Sequence, residues 1–321
     1  KAIDLKKQIS NGFDPLLQRQ KETNITFKEA GERLIESKKS EWKNAKHAKQ
    51  WESTLTKYAY PFIGDIDVRN IEVSDIINLL NKIWKEKPET ASRVRGRIEA
   101  ILDYASALKF RTGDNPAKWK GNLDHLLPKH SKVKLKKHHE ALHYDKISEF
   151  MGLLSQREGV SARALEFTIL TASRSGEARG ATWQEIDLEK KLWIIPDHRM
   201  KAGKEHRIPL CDKAISILEH MKQFKMCDYV FASQTKKNSK LSDMTLSAVL
   251  KRMNYHNITV HGFRSSFRDW AGETTLFPRE IIEHALAHQL KDKAEAAYAR
   301  GTLLDKRRKL MNEWEKYVYG L

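Results

Sequence analysis

From Thr26 onward, apolar residues fall at helical intervals: Phe27, Ala30, Leu34 and Ile35, with Thr26 placed as an N-cap and Glu29 three positions on. The spacing predicts a helix there, and others near 44–60, 73–85 and 89–109. Four such helices make a small bundle. In the last of them Val94, Ile98, Ile101, Leu102, Ala105 and Leu108 recur on one face. Arg93 and Arg97 project from another face and offer cations, although a solvated basic face accounts for them equally well.

The pattern changes on either side of this bundle. Residues 1–23 are polar and helix-prone, broken by Asn11-Gly12 and Asp14-Pro15, and lack an apolar face large enough to stand alone. With Lys1 rather than Met at the start, they read as the tail of a preceding domain plus a linker. Between 116 and 141 the stretch PAKWKGNLDHLLPKHSKVKLKKHHE carries seven lysines against Asp124 and Glu140, with Pro116 and Pro128. That is an extended basic linker. From 142 a second domain begins with helices at 144–156 and 160–171, then short β-like runs at 181–186, 192–195 and 207–210. The turn Lys201-Ala202-Gly203-Lys204 makes the last two a hairpin, and helices return from 212 to 319. The expected organisation is therefore a remnant and linker at 1–24, a helical domain at 25–115, a basic linker at 116–141 and a catalytic domain with a tail helix at 142–321. The fold class is mainly α with a small antiparallel β-sheet, an α+β protein.

Charge narrows the partners. Lys and Arg number 59 against 42 Asp and Glu, a net +17, and the isoelectric point near 9.6 implies a polyanion, nucleic acid before an acidic membrane surface. No apolar run approaches the roughly 18 residues needed to span a bilayer, and no signal peptide is visible, so the expected location is cytoplasmic. Cys211 and Cys227 sit in no zinc-ligand pattern and read as small core residues.

Four local features could carry chemistry. In TASRSGEARGATW, Arg174 follows a helix, Gly176 allows a tight turn, and Glu177 is spaced to hold Arg174, although a plain helical salt bridge explains the pair. In MKAGKEHRIPL, Lys201 lies at the lip of the hairpin, where most lysines are simply solvated. HGFRSSFRDW, if helical, puts His261, Arg264 and Arg268 on one stripe and Phe263, Phe267 and Trp270 on another that looks inward. In ALAHQLKDKAEAAYARG, His288 precedes Tyr298 by ten residues.

Taken together, Arg174, Lys201, His261-x-x-Arg264, His288 and Tyr298 resemble the tyrosine recombinase family, the DNA strand-exchange enzymes related to phage integrases, in order, spacing and local context. Residues 25–115 resemble the family's core-binding domain, and NGFDPLLQRQ resembles the end of the arm-binding domain of prophage and genomic-island integrases. The resemblance implies a clamp on duplex DNA and a site-specific integrase working through a 3′-phosphotyrosyl intermediate. Arg174 and Arg264 would grip the extra negative charge of the transition state, with His288 as a further donor. His261 would act as base or positioner, Tyr298 would attack, and Lys201, with Lys204 as competitor, would protonate the departing 5′-oxygen. Arg93, Arg97, Lys132, Lys134, Lys136, Lys137 and Arg268 are the candidate DNA contacts.

The expected partners are double-stranded attachment sites, a homotetramer on DNA, and host DNA-bending and directionality factors, with no membrane. No cofactor or metal is expected, since the sequence holds no P-loop and no two-metal carboxylate cluster. Two departures stand out: Ala287 takes the place of a usual glycine, tolerable if the backbone there is helical, and Ser175 replaces a common apolar residue. The tail apolar set Leu303, Leu304, Leu310, Met311, Trp314, Tyr317 and Val318 either packs on its own domain or, as in the family, docks on a neighbour. A topoisomerase-like nicking-closing enzyme and a silent DNA-binding regulator remain the alternatives.

Overall fold

The computed structural model describes residues 24–42, 45–128, 140–288 and 302–321. Tyr298, Lys132, Lys134, Lys136, Lys137 and the stretch 1–23 lie outside the described residues. The chain divides into two compact units, with the boundary between Lys136 and Lys137.

In the first unit, α1 spans Phe27–Lys38, α2 Ala45–Tyr58, α3 Tyr60–Ile63, α4 Val73–Trp84 and α5 Pro88–Ala107. α1 starts where the sequence says it should. The Thr26 hydroxyl accepts the Glu29 N–H at 3.2 Å and the Glu29 carboxylate accepts the Thr26 N–H at 2.9 Å, satisfying two otherwise orphaned donors. The α5 stripe of Val94, Ile98, Ile101, Leu102 and Ala105 is fully buried against Phe27, Leu34, Leu55, Ile76 and Leu80. Each large side chain so buried contributes roughly 1.5–3 kcal/mol. Leu108 departs from the stripe: it falls on the C-cap of α5, past the last helical turn, and is 48% exposed.

The two α5 arginines also part company. Arg93 stays exposed and pairs with Glu89 at 3.0 Å. Arg97 is not the solvated cation expected from the pattern: it is buried, donates to the Gln50 carbonyl at 2.8 Å and lies 5.4 Å from the Trp51 ring centroid. Its charge is spent holding α5 to α2.

The second unit contains α6 Ile147–Ser155, α7 Val160–Leu170, α8 Ser175–Arg179, β1 Ile186–Asp187, β2 Leu192–Ile195 and β3 His206–Pro209. It continues with α9 Asp212–Gln223, α10 Thr245–Arg252, α11 Gly262–Thr274, α12 Arg279–Ala285 and α13 Leu304–Tyr319. The strands form an antiparallel sheet in the order β1-β2-β3, with Ile195 opposite His206 and Leu192 opposite Pro209. Only the end of the run 181–186 is strand. Ala181 and Trp183 instead bond Val230 and Asp228 across a single bridge between Thr182 and Tyr229. The β2–β3 connection is longer than a tight hairpin turn: it includes a single helical turn at Asp197–Arg199 and Gly203 at φ 64°.

Phe150, Phe167, Trp193, Phe231, Phe267, Trp270 and Trp314 form the centre of this unit's core. The tail helix α13 packs within its own unit. Leu310, Met311, Trp314 and Val318 are buried, and the Trp314 indole N–H donates to the Ile169 carbonyl at 2.9 Å. Among the described residues no helix is long and apolar enough to cross a membrane.

Candidate active site

The site gathers at the turn that follows α12, because three carbonyls and one carboxylate there and nearby aim at two guanidiniums. After α7 the chain reverses at Ala172, whose φ is 47°, and this bend delivers Arg174 to the start of α8. The tight turn therefore falls at Ala172 and not at Gly176, which is an ordinary helical residue of α8. Glu177, only 6% exposed in its side chain, accepts the Arg174 backbone N–H at 3.0 Å and its Nη1 at 2.8 Å. Arg174 Nη2 reaches the Ala287 carbonyl at 3.4 Å.

Arg264 sits on α11 but does not share the solvated stripe of His261 and Arg268; it is 5% exposed. Phe263, Phe267 and Trp270 bury one side of α11 as their spacing predicts, and Arg264 is drawn in beside them by backbone acceptors. Its Nη1 donates to the Ala172 carbonyl and its Nη2 to Leu286 at 2.6 Å. Burial, reinforced by the charge of Arg174 and partly offset by Glu177 and Glu283, pushes Arg264 down to about 10. It remains a cation at neutral pH. Its Nε–H is buried and has no hydrogen-bond partner among the described residues.

His288 completes the cluster, with Nε2 3.2 Å from Arg264 Nη2 and Nδ1 2.6 Å from the Glu283 carboxylate. Burial opposes ionisation of Glu283, yet hydrogen bonds from His288 and Arg268 outweigh it and hold the carboxyl below its ordinary range. An ionised carboxylate only accepts, so His288 donates to it from Nδ1, and its Nε2 is turned toward Arg264. Arg268 Nε is bonded to the same carboxylate at 2.8 Å, so its charge serves Glu283.

Ala287 corrects an expectation. Its φ is 48°, a left-handed and not a helical conformation, which costs an L-residue about 1–2 kcal/mol that glycine would avoid. The strained turn points the Leu286 and Ala287 carbonyls at the two arginines.

The structure thus brings Arg174, Glu177, Arg264 and His288 together. His261 is exposed immediately before α11, and Lys201 and Lys204 are exposed in the β2–β3 connection. Three residues escaped the sequence reading. Glu283 had no local signal to distinguish it from Glu280. His206, at the start of β3, is pushed down to about 3 by burial and by Arg307, with Arg174 and Arg264 adding to the shift. Arg199 looked like any loop cation. Among the described residues no group of three or more His, Cys, Asp or Glu could hold a metal ion.

Two arginines and a histidine thus meet on one turn of a helical unit that carries a small antiparallel sheet. Residues 140–302 match the phage integrase family and residues 27–122 the phage integrase central domain, and the chain belongs to the phage integrase family. The integrase of Enterobacteria phage P4 is 29% identical over 99% of this chain and 76% of its own. The prophage integrase IntA of Escherichia coli (strain K12) is 32% identical over 84% of this chain and 64% of its own. A lambda integrase tetramer bound to a Holliday junction superposes with a TM-score of 0.67 at 18% identity, covering 91% of this chain and 89% of the other. The Tn1549 transposon integrase in complex with circular intermediate DNA gives 0.64 at 13% identity, covering 89% and 99%. At these identities the two structures show the shared fold.

Proposed function

We propose that this protein binds double-stranded attachment sites and exchanges their strands through a covalent link between Tyr298 and a 3′-phosphate. The observation that carries the reading is the pair of guanidiniums fixed by backbone carbonyls, with His288 beside them. Such preorganised donors suit an oxyanion whose charge grows in the transition state. In this reading Arg174 and Arg264 hold the nonbridging oxygens, and His288 adds a further donor to the same phosphate. His261 accepts or positions the tyrosine proton. As the P–O5′ bond breaks, Lys201 protonates the leaving oxygen, giving a free 5′-hydroxyl and a phosphotyrosyl bond whose energy is kept for religation.

DNA is held mainly through phosphates, by Arg93 and by Lys132, Lys134, Lys136 and Lys137, so that binding weakens steeply with salt. Strand exchange between two duplexes calls for a tetramer, and the net charge of +17 suits so much nucleic acid in one assembly. Host DNA-bending and directionality factors act alongside it.

The test is covalent trapping on a nicked duplex carrying the attachment core, in EDTA and without ATP, with Tyr298→Phe in parallel. An SDS-stable adduct formed by the parent and missing from the variant is expected. An adduct that persists in Tyr298→Phe would put the nucleophile elsewhere. Transfer of the trapped strand to a second duplex distinguishes recombination from nicking and closing.

A further inference from the structure

The guanidinium of Arg199 lies between the two elements that must cooperate in strand cleavage. It sits in the single turn after β2, two residues before Lys201, and its side chain is 18% exposed. Nη1 is bonded to both oxygens of the Glu185 carboxylate, itself buried and held by the Trp193 indole N–H at 2.9 Å. Nη2 turns the other way and donates to the backbone carbonyl of Glu177 at 2.6 Å. Glu177 is the residue whose carboxylate fixes Arg174.

The space for this bridge is built in. A Cβ on Gly180, at the end of α8, would stand 2.6 Å from Arg199 Nη2, so a side chain there would push the guanidinium off its acceptor. Met200, the residue between Arg199 and Lys201, is 6% exposed and anchors the backbone at the next position. The connection that carries Lys201 is thus fastened to the turn that carries Arg174 by a planar fork whose two arms serve different elements.

We infer that Arg199 is a positioning residue that sets where the Lys201 ammonium stands relative to the arginine-held phosphate. It acts on the leaving-group step and rests on the reading above that Lys201 is the general acid. In that step the bond from the Tyr298 oxygen to phosphorus forms, the P–O5′ bond breaks, and O5′ leaves with its electron pair and takes a proton from Lys201. Misplacing the acid should slow cleavage only while the leaving group needs that proton. When sulfur replaces the 5′-bridging oxygen, the thiolate departs unprotonated and the position of Lys201 ceases to matter.

The experiment measures single-turnover adduct formation on nicked duplexes with oxygen or sulfur at the 5′-bridging position, for the parent, Lys201→Ala, Arg199→Lys and Gly180→Ala. Arg199→Lys keeps a cation beside Glu185, so the buried carboxylate stays paired, but it loses the second arm. On ordinary DNA Arg199→Lys should be slowed by about 10- to 100-fold, the scale of a misplacement near 1 Å. Gly180→Ala should be slowed in the same direction, and Lys201→Ala more than either. On the sulfur substrate all three should return to the parent rate.

A deficit in Arg199→Lys that is equal on both substrates, while Lys201→Ala is rescued, would overturn the inference and place Arg199 behind Arg174 or the fold. So would full speed of Arg199→Lys on ordinary DNA. Failure of Lys201→Ala to be rescued would instead overturn the assignment of Lys201, and absence of any adduct from the parent would overturn the recombinase chemistry itself.

Discussion

Acidification should loosen the catalytic unit through His206. This imidazole is half-buried at the start of β3, meets the Ala285 backbone, and faces the charges of Arg307, Arg174 and Arg264. Burial first, and then those cations, push it from 6.5 to about 3. An unfolded chain takes up this proton as pH falls through 6.5, whereas the folded chain refuses it until about 3. The unfolded state therefore binds more protons in that window, and stability falls as pH falls. At about 1.36 kcal/mol per pH unit for one proton, going from pH 7 to pH 5 removes about 2 kcal/mol. His284 is lowered by burial in the same direction but is common to both proteins compared. Urea unfolding followed by circular dichroism at pH 7 and pH 5, on the parent and on His206→Gln, isolates the term as a difference of differences. The parent should lose about 2 kcal/mol more than the variant. Equal losses in the two proteins would refute the argument, because folding would then not exclude the proton from His206.

Glu283→Gln removes the charged acceptor shared by His288 and Arg268; losing a charge-assisted bond of roughly 1.5–3 kcal/mol should slow single-turnover cleavage by about 10- to 100-fold. An unchanged rate would show that His288 needs no such support. Because its carboxyl is held below 4.5, Glu283 contributes stability above that pH that is lost as pH falls through its lowered folded value, a loss Glu283→Gln should not show in urea titrations. Trp314→Ala opens a cavity at a fully buried indole and removes its hydrogen bond to the Ile169 carbonyl, so it should cost about 3–5 kcal/mol and lower the melting temperature of the catalytic unit by about 6–20 °C.

Much of this was legible because helices announce their faces. The Thr26 cap, the α5 stripe and the Phe263, Phe267, Trp270 triplet each follow from spacing that any amphipathic helix must keep. The pairing of Glu177 with Arg174 was legible for the same reason, being an i,i+3 contact. What spacing does not encode is the partner across the core. Arg264 lies on the polar side of its stripe, yet it is buried because the carbonyls of Ala172 and Leu286, 92 and 22 residues away, come to meet it. Arg97 is the same case, drawn inward by Gln50 across 47 residues. Ala287 misled because a backbone forced left-handed by two converging arginines leaves no trace in the residue that adopts it.

The two apolar clusters have a genetic consequence. One runs from Ile25 to Leu127 and the other from Ile147 to Val318, with no residue in common, and the eight tryptophans divide equally between the two units. Each cluster is its own cooperative core, so damage to one need not melt the other. If the helical unit holds DNA as proposed, a lesion such as Trp314→Ala leaves a folded N-terminal unit able to sit on sites that intact copies require. In a cell carrying both forms, the defective allele should poison the working one rather than merely fail to help it.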